Sequence, residues 1–191
     1  CMGWNGMERK RLTVSETLRY ANHDFLNELQ IISMNLQLGK VEEARNWINR
    51  ISESCQKNSL LHKLSLPLLA EWLLTVKWRY PEFHFTITIE PMEKLMLHED
   101  VDMQLVLYLE ETMIQLESKI DPFVPQNVHF RLSTVEQGMK LQVELQGKWN
   151  TPFILPQGKP YFEVVEVSSI ELTKHVYELT VASGYLQLNN E

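Results

Sequence analysis

Two apolar stripes at helical spacing, separated by very little chain, constrain this protein more than any other feature. Val14, Leu18, Ala21, Phe25, Leu29, Ile32 and Leu36 recur at intervals of three and four. That spacing predicts one face of a helix over about Leu12–Leu38. Gly39 supplies the usual helix stop. Val41, Ala44, Ile48, Ile51 and Cys55 repeat the spacing on a second helix that reaches about Leu64. So short a connection predicts an antiparallel hairpin. A lone hairpin buries too little apolar surface to be stable, and its stripes need another layer. The simplest layer is a second copy, which gives a homodimer with a four-helix bundle. The second half of the chain could cover the stripes instead. Dimerisation is preferred because both stripes are long and keep near-heptad spacing. Cys55, on its stripe, is expected to be a buried small hydrophobe.

The second half has a different rhythm. Pro67 marks a junction, and Leu68–Tyr80 reads as an apolar helix. Phe83, Phe85, Ile87 and Ile89 then alternate with His84, Thr86, Thr88 and Glu90, the period of a half-buried strand. Val101–Ser118 is again helical. Val128, Phe130 and Leu132 alternate, as do Leu141, Val143 and Leu145, with a turn at Glu136-Gln137-Gly138. Thr151–Pro160 is a loop rich in Pro and Gly. Two further strands are expected at Val164–Leu172 and Val176–Ala182, with Thr173-Lys174-His175 as the turn. The order predicts an α+β sandwich with helices on one face. The expected organisation is a tail at 1–11, a helical hairpin at 12–65 and an α+β domain at 66–191.

A length of 191 residues suits one compact domain, or a small helical module joined to a second domain. At 44% hydrophobic and 23% charged, the composition is that of an ordinary globular protein. No apolar run approaches the roughly 20 residues that span a bilayer, and residues 1–11 lack the apolar stretch of a secretory signal. Two cysteines make neither a disulfide framework nor a four-ligand zinc site. A cytoplasmic location is therefore expected. The net charge of −7 is uneven: residues 12–64 hold six basic and six acidic side chains, residues 65–191 nine and eighteen. An acidic second half without basic clusters argues against nucleic acid or an anionic membrane as partner.

Standard catalytic motifs are absent. No Gly-x-Ser-x-Gly or Gly-x-Gly-x-x-Gly occurs. The Gly-Lys pairs at Gly39, Gly147 and Gly158 are followed by Val41, Trp149 and Pro160, so none is a phosphate-binding loop. No two histidines have close metal-ligand spacing. His62, His84, His98, His129 and His175 read as ordinary surface residues. His23 has a different setting. It lies mid-helix, two residues before Phe25, and projects roughly opposite the apolar stripe. Asn27, Gln30 and Met34 follow on its side, giving a mostly uncharged strip around an imidazole flanked by Asp24. Leu26 borders that strip. An exposed neutral imidazole, with a free pKa of about 6.5, is a competent nucleophile near pH 7. It can attack an aspartyl phosphate, and the phosphohistidine can then be attacked by another carboxylate. Asp24 can orient the ring or hold its N–H, or be only a solvated helix charge. Asn27 can hydrogen-bond a phosphoryl oxygen or a partner backbone, or be only a neutral surface residue.

The run His23-Asp24-Phe25-Leu26-Asn27-Glu28-Leu29-Gln30-Ile31-Ile32, continuing to Asn35-Leu36-Gln37-Leu38-Gly39-Lys40, resembles the phosphoacceptor helix of the sporulation initiation phosphotransferase B family. The wider pattern, His-Asp/Glu-x-x-Asn-x-Leu, is shared with one class of sensor histidine kinases. The match is strongest over residues 22–40 and extends loosely through the order of elements behind it. The resemblance implies that His23 carries the phosphoryl group, supported by Asp24 and Asn27, with Leu26, Asn27, Gln30 and Met34 meeting the partner. It implies a dimeric four-helix bundle and a second domain like a degenerate histidine-kinase ATPase domain. Its implied partners are a single-domain response regulator as donor and a DNA-binding response regulator as acceptor, with magnesium on those regulators and no cofactor on this chain.

Kinases of that class need asparagines on a helix for magnesium, then an Asp-x-Gly-x-Gly segment that reads adenine. Here no Asn lies between Asn58 and Asn127, and no Asp follows Asp121; Gly147-Lys148-Trp149-Asn150 stands near the glycine-rich place. The oxygen ligands for magnesium are missing. The expected function is a phosphorelay histidine phosphotransferase that does not use ATP and controls sporulation initiation. The alternatives are an ATP-using sensor kinase, or a fragment of one, and a non-catalytic protein that binds response regulators.

Overall fold

The computed structural model describes residues 12–61, 63–90, 97–136, 138–170 and 172–182. The elements are α1 (Val14–Gln37), α2 (Val41–Leu61), α3 (Pro67–Arg79), β1 (Phe83–Ile89), α4 (Val101–Glu117), β2 (Gln126–Val135), β3 (Gly138–Gln146), β4 (Glu163–Ile170) and β5 (Lys174–Ala182). The chain is α+β, as its patterning predicts. By packing it divides into two units that meet at Asn49 and Arg50, within α2.

Both ends of α1 are closed by side-chain and turn chemistry. Thr13 and Glu16 form a reciprocal cap: the Glu16 N–H donates to Thr13 Oγ1 at 3.2 Å, and the Thr13 N–H donates to the Glu16 carboxylate at 2.8 Å. The Thr13 N–H, and after it the Thr13 hydroxyl donating at 2.8 Å, hold the Glu16 carboxyl below the usual range. At the other end Gly39 takes φ 72°. The Lys40 N–H reaches Asn35 O at 2.8 Å and the Gly39 N–H reaches Leu36 O at 3.0 Å, a Schellman closure. α2 starts at once, with the Ala44 N–H on Lys40 O.

No residue of α1 is buried. Tyr20, Asp24, Glu28, Ile31 and Asn35 are half-buried, and they lie about a quarter turn from the apolar stripe. The stripe itself is largely bare: Val14, Leu18, Phe25, Leu29 and Leu36 keep 44–77% of their surface. On α2, Ala44 is buried, whereas Val41 and Ile48 are exposed. Cys55 is exposed, which corrects the expectation of a buried thiol; no described residue packs over that position of the stripe closely enough to bury it.

The second unit is a sheet covered by helices. Strand order is β1-β2-β3-β5-β4; β1 pairs parallel with β2 and all other neighbours are antiparallel. The register sets Val128 against Leu145, Phe130 against Val143, and Val143 against Tyr177, so alternate residues share one apolar face. That face joins Trp72, Leu73, Leu105 and Leu109 of α3 and α4 in one core, and Leu61 at the end of α2 belongs to it. The opposite face carries ion pairs between Lys140 and Glu178 at 3.2 Å and Lys174 and Glu144 at 2.7 Å.

Buried polar groups tie α3 to α4. Asp102 accepts the Leu68 and Leu69 N–H groups at 2.7 and 2.8 Å, capping the start of α3 behind Pro67. Burial pushes its carboxyl up, and the two N–H groups pull it back down. Glu110 accepts from Trp72 Nε1 and faces Arg79 at 3.7 Å, both partners being buried.

The last hairpin differs from the sequence expectation. Leu172 adopts φ 62° and the Thr173 N–H bonds Ile170 O at 3.0 Å, so the turn closes two residues earlier. Lys174 and His175 are the first residues of β5 and not turn residues; Lys174 is drawn into the strand by its pairing with Gln146 and its bridge to Glu144. Residues 1–11, His62 and Gln137 lie outside the described residues.

Candidate functional site

α1 is long because Thr13 and Gly39 bound a run without proline, glycine or a β-branched cluster. Its regular rise places His23, Asn27, Gln30 and Met34 along one line. All four are exposed, His23 with 71% of its side chain. Leu26, at the border of this line, is exposed as well. His23, Asn27, Gln30 and Met34 therefore share one accessible side, roughly opposite the bare apolar stripe, with Leu26 at its border.

The imidazole of His23 is held at one nitrogen. Asn27 Nδ2 stands 3.2 Å from His23 Nδ1, and Asp24 Oδ1 stands 3.6 Å from the same atom. Nε2 has no hydrogen-bond or ion-pair partner among the described residues. The two neighbours make opposite demands. A carboxylate favours a proton on Nδ1, which leaves the lone pair on Nε2. An amide N–H pointing at Nδ1 favours the other tautomer, with Nε2 protonated and not nucleophilic. Turning the Asn27 amide over brings Oδ1 to Nδ1–H, and both neighbours then favour a nucleophilic Nε2. The arrangement can thus attack an electrophilic phosphorus from an exposed Nε2, with Nδ1 steadied from behind.

The other histidines have different surroundings. His129 Nε2 is 2.9 Å from Thr88 Oγ1 on the sheet. His98 stacks on Tyr161 at 4.6 Å. His175 is buried between Trp149 and Phe153, with Nδ1 3.4 Å from Glu166, and its burial corrects the expectation of a surface residue in a turn. His84 is exposed on β1.

Among the described residues no group of three His, Cys, Asp or Glu side chains could hold a metal ion. The segment Gly147–Asn150 is engaged in packing. The Gln126 amide donates to Asp121 O and Val124 O, its Oε1 accepts the Lys148 N–H at 3.3 Å, and Trp149 is buried. A Cβ on Gly147 would lie 1.8 Å from Gln126 Oε1, so glycine is needed there for close approach. On α4 the Tyr108 hydroxyl donates to Pro156 O at 3.1 Å, joining the helix to the 151–160 loop. No described helix is long and apolar enough to cross a membrane.

Sequence reasoning passed over two positioning devices, the Thr13–Glu16 cap and the Asp102 cap, whereas the closure at Gly39 was expected. The Thr13–Glu16 cap carries a local signal, Thr-x-x-Glu before an apolar run. Asp102 contacts residues 34 and 33 positions away and has no local signal.

Residues 6–64 match the family profile described as the sensor kinase SpoOB-type, alpha-helical domain. No curated protein matches the chain. Similar solved structures include Acinetobacter baumannii histidine kinase AdeS, 11% identical, covering 85% of this chain and 98% of that one at TM-score 0.44. The mycobacterial sensor histidine kinase MprB is 12% identical, with 61% and 94% covered and TM-score 0.40. A bacterial phosphotransferase is also 12% identical, with 88% and 98% covered and TM-score 0.35.

Proposed function

We propose, from the match of residues 6–64 to the sensor kinase SpoOB-type alpha-helical domain, that the chain is a phosphorelay histidine phosphotransferase acting through His23. The observation that carries this reading is the exposed imidazole with Nδ1 flanked by Asp24 and Asn27 and Nε2 without a partner among the described residues. The Nε2 lone pair attacks the phosphorus of an aspartyl phosphate on a donor response regulator. An N–P bond forms, the P–O bond breaks, and the electron pair leaves on the donor carboxylate. Asp24 holds the Nδ1 proton of the phosphorylated ring. A carboxylate oxygen of the acceptor regulator then attacks the same phosphorus, and the N–P electrons return to Nε2. Leu26, Asn27, Gln30 and Met34 form the docking strip, so much of the catalysis is positioning. The magnesium sits on the regulators, and this chain holds no cofactor and does not use ATP.

The donor is a single-domain regulator and the acceptor a DNA-binding one, in a relay that controls sporulation initiation in the cytoplasm. A second copy covers the bare stripe of α1 and α2 as a four-helix bundle, within a hairpin spanning 12–65.

The test is a transfer assay with a phosphorylated response regulator. Label should pass to the wild-type chain, disappear in acid and survive base, as a phosphohistidine does. His23→Gln should abolish transfer to this chain and onward while leaving the fold intact, because the side chain faces water. Transfer by His23→Gln at the wild-type rate sinks the assignment.

A further inference from the structure

Among the described residues, no strand pairs with the outer edge of β1, which faces a groove. The Glu90 N–H donates to Leu132 O at 2.9 Å, beside the parallel pair Ile89 and Leu132. In a parallel ladder this makes the even-numbered residues of β1 the ones bonded to β2. Phe85, Ile87 and Ile89 therefore turn their N–H and C=O groups away from the sheet. Phe83 is the exception at the start, its N–H being taken by Tyr80 O. No backbone bond reaches the outward groups of Phe85, Ile87 or Ile89 among the described residues. The same three residues line a cavity of about 320 Å³, between β1, α3 and the C-terminal half of α2. Leu61, Leu73 and Leu74 supply apolar wall, and the charged groups at this cavity are Lys57 and Lys77, with no carboxylate among its lining.

An unprotected strand edge is a template for another strand. Here it is combined with apolar wall and a basic rim in a chain of net charge −7. We infer that this groove binds an extended acidic segment of a partner protein, added as a further strand on β1. Backbone bonds to Phe85, Ile87 and Ile89 hold the strand, alternate apolar side chains enter the groove, and carboxylates meet Lys57 and Lys77. The site is separate from His23 and does not depend on the phosphotransfer reading.

The test uses the full chain and the acetylated, amidated peptide Glu-Val-Glu-Val-Glu-Val-Glu. In the free chain the amides of Phe85, Ile87 and Ile89 should exchange with deuterium quickly, and those of Thr86 and Thr88 slowly. Millimolar peptide should slow the three outward amides by about tenfold or more. The same peptide N-methylated at alternate residues should not. Lys57→Glu combined with Lys77→Glu should weaken binding about tenfold or more at an unchanged melting temperature, and His23→Gln should leave it unchanged. No binding, unchanged affinity in the double variant, or outward amides already slow in the free chain would each overturn the inference. So would protection that grows with protein concentration alone, which assigns the edge to a second copy.

Discussion

At the scale of the residue, His23 is defined by what touches one of its nitrogens. Asp24 and Asn27 both address Nδ1, at 3.6 and 3.2 Å, and they favour different tautomers unless the amide turns. Asp24 is thus the group that biases the ring toward a free Nε2 lone pair. Asp24→Asn should slow transfer, because a neutral amide is a weaker acceptor for Nδ1–H than a carboxylate. It should leave oligomeric state and melting temperature close to wild type. A variant that transfers at full rate would return Asp24 to the role of a solvated helix charge. A different aspartate shows what burial does. Asp102→Ala strands the Leu68 and Leu69 N–H groups at a buried helix start. The expected loss is about 1–3 kcal/mol per stranded donor, read as a lowered denaturation midpoint with an unchanged slope. An unchanged midpoint would show that water replaces the carboxylate.

At the scale of the element, α1 has two unlike sides. One presents the His23 strip and the other a bare apolar stripe, and both follow from a single helical period. The stripe is too apolar for a surface that stays wet, with Phe25, Leu29 and Leu36 about half exposed in one chain. The proposed bundle gives it a partner. Sedimentation should yield twice the 22.5 kDa chain mass. Leu29→Asp should produce monomers, because a carboxylate without a partner in the dimer core costs several kcal/mol. A wild-type monomer with a folded hairpin would remove the bundle. At the connection, Gly39 contributes conformation only: no atom lies within 4 Å of the place where a Cβ would stand. Its φ of 72° still favours glycine.

At the scale of the whole molecule, the second unit is a five-stranded sheet covered by helices, with no Asn between Asn58 and Asn127 and no Asp after Asp121. α4 carries no asparagine, and its buried positions hold Tyr108, Leu109, Thr112 and Met113. Tyr108 ties the 151–160 loop to the helix, and Gly147 accommodates the Gln126 amide. Under the proposed function, phosphate arrives from a partner and not from ATP. Calorimetry with ATP and magnesium should therefore show no specific heat of binding. Micromolar affinity, or label passing from ATP to His23, would promote the sensor-kinase alternative.

Periodicity alone carried much of this architecture. Helical spacing located α1 and α2, and alternation located β1, β2 and β3, because both depend only on which side chains share a face. The His23 strip was legible for the same reason: one straight helix fixes which residues lie together, whatever surrounds it. The contacts between distant segments could not be read this way. The strand order β1-β2-β3-β5-β4 depends on which edges meet in space. The placement of Asp102 under α3, of Glu110 between Trp72 and Arg79, and of His175 between Trp149 and Phe153 rests on segments tens of residues apart. The final turn moved to Leu172 and Thr173 because pairing with β3 begins at Lys174, and local propensity yields to that ladder. The outward direction of the Phe85, Ile87 and Ile89 amides depends on the side of β1 on which β2 lies, which only the tertiary structure fixes.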